Sequence, residues 1–288
     1  MSGCVLGEVF ERGIPFVIRA VTPLHPGSGS RLSGLVDLPV QREAGTDIPV
    51  IYGSSLKGAL RSWAMMKGIK DVEGIFGPQP GEGDKGMGKA VFMDAKLLFL
   101  PVRSMRGVYG WITSRFLLER FERDMRLIAE LTKSEGQIRF SLSDLSPSEG
   151  EAIGASKNTI KIDSGEGKEE VVLEDHVLSF KSNDMTFLDA FGELKDELIK
   201  RLVVVHDDTF KRLVTRAMEV VPHIEVDRER GTVNNLWFQE NLPAETMLYS
   251  AVFLPASLEG SMRSLLKGFI HVGGDVTTGL GFARVYLL

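Results

Sequence analysis

Pro49-Val50-Ile51-Tyr52-Gly53-Ser54-Ser55-Leu56-Lys57-Gly58-Ala59-Leu60-Arg61 is the stretch from which the fold can be read. Residues 48–52 predict a short strand. Gly53-Ser54-Ser55 then opens a helix whose apolar stripe is Leu56, Leu60, Trp63 and Ala64 and which ends near Gly68. The unit puts the Ser54 and Ser55 hydroxyls and free backbone N–H groups at a helix start, where aligned peptide dipoles act as about half a positive charge. Lys57 and Arg61, four residues apart, lie on one face and add two full charges. A phosphate group fits such a site; so does a plain serine cap with two solvated cations. The Gly-x4-Gly-Lys-Ser/Thr spacing of a P-loop is absent.

On the N-terminal side, residues 16–21 are β-branched and apolar and form a strand that runs into Thr22-Pro23. Residues 23–49 show no sustained period, and a loop of that length inside a folded body is uncommon unless it is functional or disordered. On the C-terminal side, residues 76–89 are rich in Gly, Pro and charge and read as an excursion, and 90–100 as one or two buried strands. A helix is expected over 112–131, from the spacing of Phe116, Leu117, Arg120, Phe121 and Ile128. Residues 132–185 read as an insertion with a hairpin, 158–162 and 170–173 flanking Ser164-Gly165-Glu166-Gly167. A helix over 187–202, a strand over 203–205 and a helix over 209–217 capped by Asp207 or Asp208 follow. Then come a projecting hairpin (218–225 and 233–238), a strand over 246–254, a helix over 261–270 and a strand over 282–287. Repeated βα units with antiparallel returns predict an α+β fold of ferredoxin-like (RRM-like) type, with no fixed-period repeat.

The 288 residues are 43 % hydrophobic and 25 % charged, enough apolar mass for a sizeable core. No apolar run approaches the roughly 20 residues that span a bilayer, so no membrane partner is expected. Residues 1–13 lack the apolar centre of a signal peptide and Cys4 is the sole cysteine, so the expected compartment is the cytoplasm. The net charge of −5 is unevenly spread. Residues 141–200 carry 14 Asp/Glu against 6 Lys/Arg, whereas 54–126 carry 13 basic against 8 acidic side chains, Arg103 and Arg106 among them. The second region is a candidate phosphate surface, with solvated helix faces as the plainer reading.

Two further stretches carry candidate chemistry. Gly273, Gly274, Gly279 and Gly281 fall within nine residues, letting backbone approach a ligand closely. Their place before a strand excludes a dinucleotide fingerprint. Asp37 lies in the long loop, near His25 and Gln41-Arg42. A carboxylate there suits general-base work or Mg2+ binding in cleavage of a phosphodiester whose own 2′-hydroxyl is the nucleophile; it also suits a plain loop cap. The five histidines form no i, i+4 pair and one cysteine cannot build a zinc cage. The Gly-x-Ser-x-Gly elbow of a serine hydrolase is also absent.

Several ordered motifs together resemble the RAMP superfamily, and within it the backbone subunits of type III-B (Cmr) CRISPR RNA-guided effectors. They are Thr22-Pro23-Leu24-His25-Pro26-Gly27-Ser28-Gly29, Val36-Asp37-Leu38-Pro39-Val40-Gln41-Arg42-Glu43, the 49–61 stretch and the C-terminal glycine loop. Leu100-Pro101-Val102-Arg103-Ser104 and Leu236-Trp237-Phe238-Gln239-Glu240-Asn241-Leu242-Pro243 add to the likeness. The resemblance covers nearly the whole chain, is weakest over 132–185, and places Asn241 where the family usually has a second acid. It implies one RAMP domain over 1–288, with a modified ferredoxin-like palm, insertions near 76–89 and 132–185, and a thumb hairpin near 224–237. It implies copies stacked in a filament along a guide CRISPR RNA beside other Cmr subunits, in antiviral defence. It further implies that the Asp37 loop, with His25 as a helper, cuts complementary target RNA at regular spacing with a divalent metal, Mg2+ being the expectation. Ser54, Ser55, Lys57 and Arg61 would hold guide phosphates, with Arg103, Arg106 and the four glycines as further RNA contacts. An architectural RNA-binding subunit without nuclease activity and a guide-processing endonuclease of the same superfamily are the alternatives.

Overall fold

The apolar run expected near residue 16 is strand β1 (Arg12–Ala20) in the computed structural model, which describes residues 11–29, 36–79, 86–133, 142, 144–227 and 231–288. Phe16 and Ile18 point to one side and Val17 to the other, and all three are fully buried. A strand buried on both faces needs cover on both.

The strands after it are β2 (Val50–Ile51), β3 (Val91–Phe92), β4 (Ala95–Ser104), β5 (Val108–Ser114), β6 (Glu151–Ala155), β7 (Ile162–Gly165) and β8 (Lys168–Leu173). Next come β9 (His176–Asn183), β10 (Leu202–Val205), β11 (Glu219–Val226), β12 (Val233–Asn241), β13 (Met247–Leu254), β14 (Gly268–His271) and β15 (Phe282–Leu287). The helices are α1 (Gly53–Met66), α2 (Val72–Phe76), α3 (Arg115–Thr132), α4 (Lys195–Arg201), α5 (Asp207–Arg216) and α6 (Glu259–Leu266).

The architecture is mixed α/β around a large, mostly antiparallel sheet in the order β14-β15-β1-β13-β4-β5-β10-β6-β9-β8-β7, with β2 beside β4 and β3 beside β13. Parallel pairing occurs between β5 and β10 and between β6 and β9. One face is covered by α1 (Leu56, Leu60, Ala64), α6 (Met262, Leu265, Leu266) and α5 (Phe210, Leu213). The other is covered by α3 (Leu118, Phe121, Met125) and by Phe187, Phe191 and Leu198. There Phe121 stacks on Phe191 at 5.4 Å and meets Tyr249 edge-on at 4.9 Å. No helix among the described residues is long and apolar enough to cross a membrane.

Several sequence expectations change. The 112–131 helix starts only at Arg115, because Trp111 and Ile112 pair in register with both β4 and β10. Residues 187–202 divide into a 3-10 helix, Thr186–Leu194, and α4, with a non-helical break at Gly192. Helix α5 is capped by His206, whose Nδ1 accepts the Asp208 N–H at 3.3 Å, not by an aspartate. The 261–270 helix ends at Leu266, and Gly268, at φ +88°, turns the chain into β14. Much of the 132–185 insertion extends the main sheet: β6, β9, β8 and β7 continue it outward and bury Ala152, Val171, Leu173 and Leu178. Its hairpin turns at Glu166-Gly167, both at positive φ, as a two-residue turn between twisted strands requires. Of the 76–89 excursion, residues 80–85 lie outside the described residues. Among the named strands of the described residues, β11 and β12 pair with each other and with no other, giving a projecting hairpin longer at its root than the expected 224–237.

Phe121 is fully buried between two aromatic partners. Phe121→Ala is therefore expected to lower unfolding free energy by about 3–5 kcal/mol in denaturant titration, against less than about 0.5 for a change on the solvent face.

Candidate functional site

Helix α1 begins against a fixed floor. The Gly53 N–H donates to Asp94 Oδ1 at 2.7 Å, and a Cβ at Gly53 would lie 2.5 Å from the Phe92 carbonyl, so only glycine fits. Gln41 closes the other side: its Oε1 accepts the Tyr52 N–H at 2.7 Å, and its Nε2 donates to Ser55 Oγ at 2.8 Å and to the Gly27 carbonyl at 3.0 Å. Among the described residues no side chain caps α1, so neither Ser54 nor Ser55 is the cap that sequence allowed. Helix geometry leaves the Ser54 and Ser55 N–H groups without intrahelical acceptors. Ser54 is exposed and Ser55 half-buried.

Beside this helix start lies a cavity of about 710 Å³ whose wall includes His25, Ser55, Gly58, Trp63, Gly273 and Gly274. The structure thus joins three segments that are remote in sequence. Their closeness depends on glycine: at Gly273 (φ +96°) a Cβ would sit 2.7 Å from the His25 carbonyl, and at Gly281 (φ +89°) 2.4 Å from His271 Nε2. The Gly274 N–H donates to the His25 carbonyl at 3.1 Å. Gly279 forms the turn at the end of the 3-10 helix Val276–Thr278. Lys57 and Arg61 stand outside the cavity wall, and Arg61 Nη1 donates to the Pro78 carbonyl at 2.9 Å.

The Asp37 loop docks on the root of the hairpin. The Asp37 and Leu38 N–H groups both donate to the Phe238 carbonyl at 3.1 Å, and the Glu240 N–H donates to the Leu38 carbonyl at 2.9 Å. In return the Phe238 N–H donates to Asp37 Oδ2 at 2.8 Å. Asp37 is exposed, and its carboxylate is oriented through Oδ2. Glu240 holds the next residues: Oε2 accepts the Val40 N–H at 3.1 Å and Oε1 accepts Arg42 Nη2 at 2.6 Å, both side chains being nearly buried. His25 Nδ1 lies 2.7 Å from the Glu240 carbonyl, an acceptor only, so Nδ1 carries the proton. His25 and Asp37 therefore bind β12 two residues apart, about 7 Å of strand. Gln239 Nε2 donates to Asp275 Oδ2 at 2.8 Å and to Asn241 Oδ1 at 3.1 Å, tying the glycine loop to the same strand. Sequence reading missed Glu240, Gln239 and the role of Gln41; the only signal for them was their place within the quoted motifs.

Arg103 and Arg106 are not brought to this site. Strand β4 carries Ala95 beside β2 and Arg103 at its far end, and its ten residues span roughly 30 Å. Arg103 pairs with Glu174 through Nε at 2.8 Å and Nη2 at 2.5 Å, and that hydrogen bonding holds the Glu174 carboxyl below the usual carboxylate range. Arg106 Nη1 donates to the Lys161 carbonyl at 2.8 Å. Among the described residues, no group of three or more His, Cys, Asp or Glu side chains is arranged to hold a metal ion.

A family model described as the RAMP superfamily matches residues 17–284. A curated relative, the CRISPR system Cmr endoribonuclease Cmr4 of Pyrococcus furiosus, is 35 % identical over 93 % of this chain and 92 % of its own length. The crystal structure of oligomeric Cmr4 from the same organism superposes with a TM-score of 0.69 at 27 % identity, covering 96 % of this chain and 97 % of that one. A chain of the type III-B Cmr-beta complex in its apo state gives a TM-score of 0.77 at 25 % identity, over 97 % and 98 %.

Two glycines make opposite predictions. Gly281→Ala meets the His271 ring at positive φ and is expected to cost about 1–3 kcal/mol in thermal or denaturant unfolding. Gly58→Ala has open space for its Cβ inside α1 and is expected to raise stability by about 0.5–1 kcal/mol in the same assay.

Proposed function

This chain belongs to the RAMP superfamily, and we propose that it is the guide-RNA-binding backbone subunit of a type III-B CRISPR effector, cutting complementary target RNA at the loop that carries Asp37. The observation that carries this reading is the docking of that loop on the root of the projecting hairpin, with the Asp37 carboxylate oriented by the Phe238 N–H. A hairpin that parts a guide–target duplex then has an oriented carboxylate at its base, beside whichever nucleotide it displaces.

The chain is one RAMP domain over 1–288. Its palm is ferredoxin-like: β1, α1, β4, β13, α6 and β15 follow one another in the chain, and the sheet order β15-β1-β13-β4 with both helices on one face supports this. The hairpin β11–β12 is the thumb. Copies of the chain stack along the guide RNA with other Cmr subunits, a reading supported by the oligomeric relative and by the Cmr-beta complex. The expected compartment is the cytoplasm.

Guide phosphates lie against the α1 start and the glycine loop, where open N–H groups and absent Cβ atoms allow backbone contact, with Lys57 supplying charge alongside. Contacts of this kind fix position without reading sequence, which base pairing supplies. In the cleavage step Asp37 takes the proton of a target 2′-hydroxyl. Its oxygen bonds to the adjacent phosphorus as the bond to the 5′-oxygen breaks, leaving a cyclic phosphate and, after protonation from solvent, a 5′-hydroxyl. The donor set suits a divalent cation only in part: Asp37 supplies one exposed carboxylate. Mg2+ is commonly held by one or two carboxylates together with substrate phosphates, so RNA would supply other ligands, and the ion would offset charge on the phosphate.

Asp37→Asn is expected to slow single-turnover cleavage by an assembled complex about 10²- to 10⁴-fold while target affinity stays within about twofold. Cleavage within about twofold of wild type would remove Asp37 from the chemistry. Chelation of divalent cations is expected to stop cutting and added Mg2+ to restore it. RNA affinity is expected to fall steeply between 50 and 200 mM salt, about as the number of neutralised phosphates dictates.

A further inference from the structure

Arg120 lies on α3, the helix covering the opposite face of the sheet from α1, yet its guanidinium reaches the Asp37 loop. Nη1 donates to both carboxylate oxygens of Glu43, at 2.6 and 2.8 Å, and Nη2 to the Leu97 carbonyl at 3.2 Å. The Arg120 side chain is 6 % exposed and that of Glu43 20 %. Leu97 pairs with Leu248 of β13 along one edge of β4, and along the other edge it falls in a gap: residues 95 and 96 pair with β2, and pairing with β5 begins at Leu100. Arg120 fills that gap, and the Phe116 ring packs 5.5 Å from its guanidinium.

Glu43 in turn closes the end of the loop. Its N–H donates to the Ile48 carbonyl, its carbonyl accepts the Asp47 N–H, and its Oε2 accepts the Thr46 hydroxyl at 2.6 Å. The neighbouring Arg42 joins this turn to the hairpin root, with Nη1 on the Asp47 carbonyl at 2.9 Å and Nη2 on Glu240. A continuous set of contacts therefore runs from α3 through Arg120, Glu43 and Arg42 to Glu240, the residue that also holds Val40, three positions after Asp37.

Resting on the nuclease reading above, we infer that Arg120 is a positioning residue for target cleavage. Through Glu43 it fixes the end of the Asp37 loop against the rigid sheet, so that the carboxylate meets the 2′-hydroxyl at a set distance, without touching RNA itself. Displacement of a reacting group by about 1 Å can cost about 100-fold in rate, so loosening this anchor acts on the cutting step and leaves binding to the guide surface intact.

The test uses complexes assembled with guide RNA and partner subunits, carrying Glu43→Gln, Arg120→Lys, Arg120→Glu, Glu43→Arg, the exchange that combines the last two, or Asp37→Asn. Guide loading, target affinity and single-turnover cleavage are measured for each, with hydrogen exchange over residues 36–49. Glu43→Gln and Arg120→Lys are expected to load guide and bind target within about twofold of wild type, to cut about 10- to 100-fold more slowly and to exchange faster over 36–49. The exchange variant is expected to recover cutting relative to either Arg120→Glu or Glu43→Arg alone. Unchanged cutting in Glu43→Gln and Arg120→Lys beside an inactive Asp37→Asn overturns this inference alone, as does loss of cutting that only follows loss of target binding. If Asp37→Asn cuts like wild type, the nuclease reading falls and this inference with it.

Discussion

The buried carboxylate of Glu240 is the constraint on which the site depends. Its two oxygens hold Arg42 and the Val40 N–H, while its own carbonyl holds His25. One residue of β12 therefore fixes both the long loop and the wall of the cavity. A nearly buried ion pair adds little net stability over an apolar replacement, but removing one partner strands a charge at a cost of about 3–5 kcal/mol. Such a pair specifies an arrangement more than it strengthens a fold, and the arrangement it specifies here is the register between the Asp37 loop and the hairpin root.

The rest of the site follows from two simple requirements. A chain that must bring backbone against backbone needs positions without a Cβ, and Gly53, Gly273 and Gly281 occur where a methyl group would meet a carbonyl or a ring at 2.7 Å or less. A loop that must stay in place without strand pairing along its length needs side chains that reach to neighbouring elements. Gln41, Arg42 and Glu43, consecutive in the chain, each bind a different one: the α1 start, the hairpin root and α3. The sheet gives these contacts a stiff base, because helices are packed against both of its faces.

How much of this was readable in the chain depended on the range of the interaction. Helix α1 announces itself through Leu56, Leu60 and Ala64, since its apolar stripe is local. The start of α3 is not legible locally, because Trp111 and Ile112 suit a buried strand and a buried helix equally, and only pairing with β4 and β10 decides. Within 132–185 the run 170–173 reads as one arm of a hairpin, but nothing local shows that β6 and β9 join the main sheet, because the pairing of β6 with β9 and with β10 is made only in the fold. At the site, the length of the loop marks it as a candidate functional segment, and the choice of Asp37 within it rests on the motif resemblance. Nothing local links Arg42 to a glutamate 198 residues away, and nothing in a charge count foretells that Arg61 turns to the Pro78 carbonyl or that Arg103 is taken by Glu174.

If each copy in a filament holds its own carboxylate at its own hairpin, cutting is a local property of every subunit. Complexes assembled from wild-type and Asp37→Asn chains mixed in graded ratios, with target cleavage mapped nucleotide by nucleotide, measure this most directly. The account predicts that cuts keep their positions and spacing and that each weakens in proportion to the fraction of variant chain. Cuts that persist undiminished at high variant fraction, or that move to new positions, would contradict it.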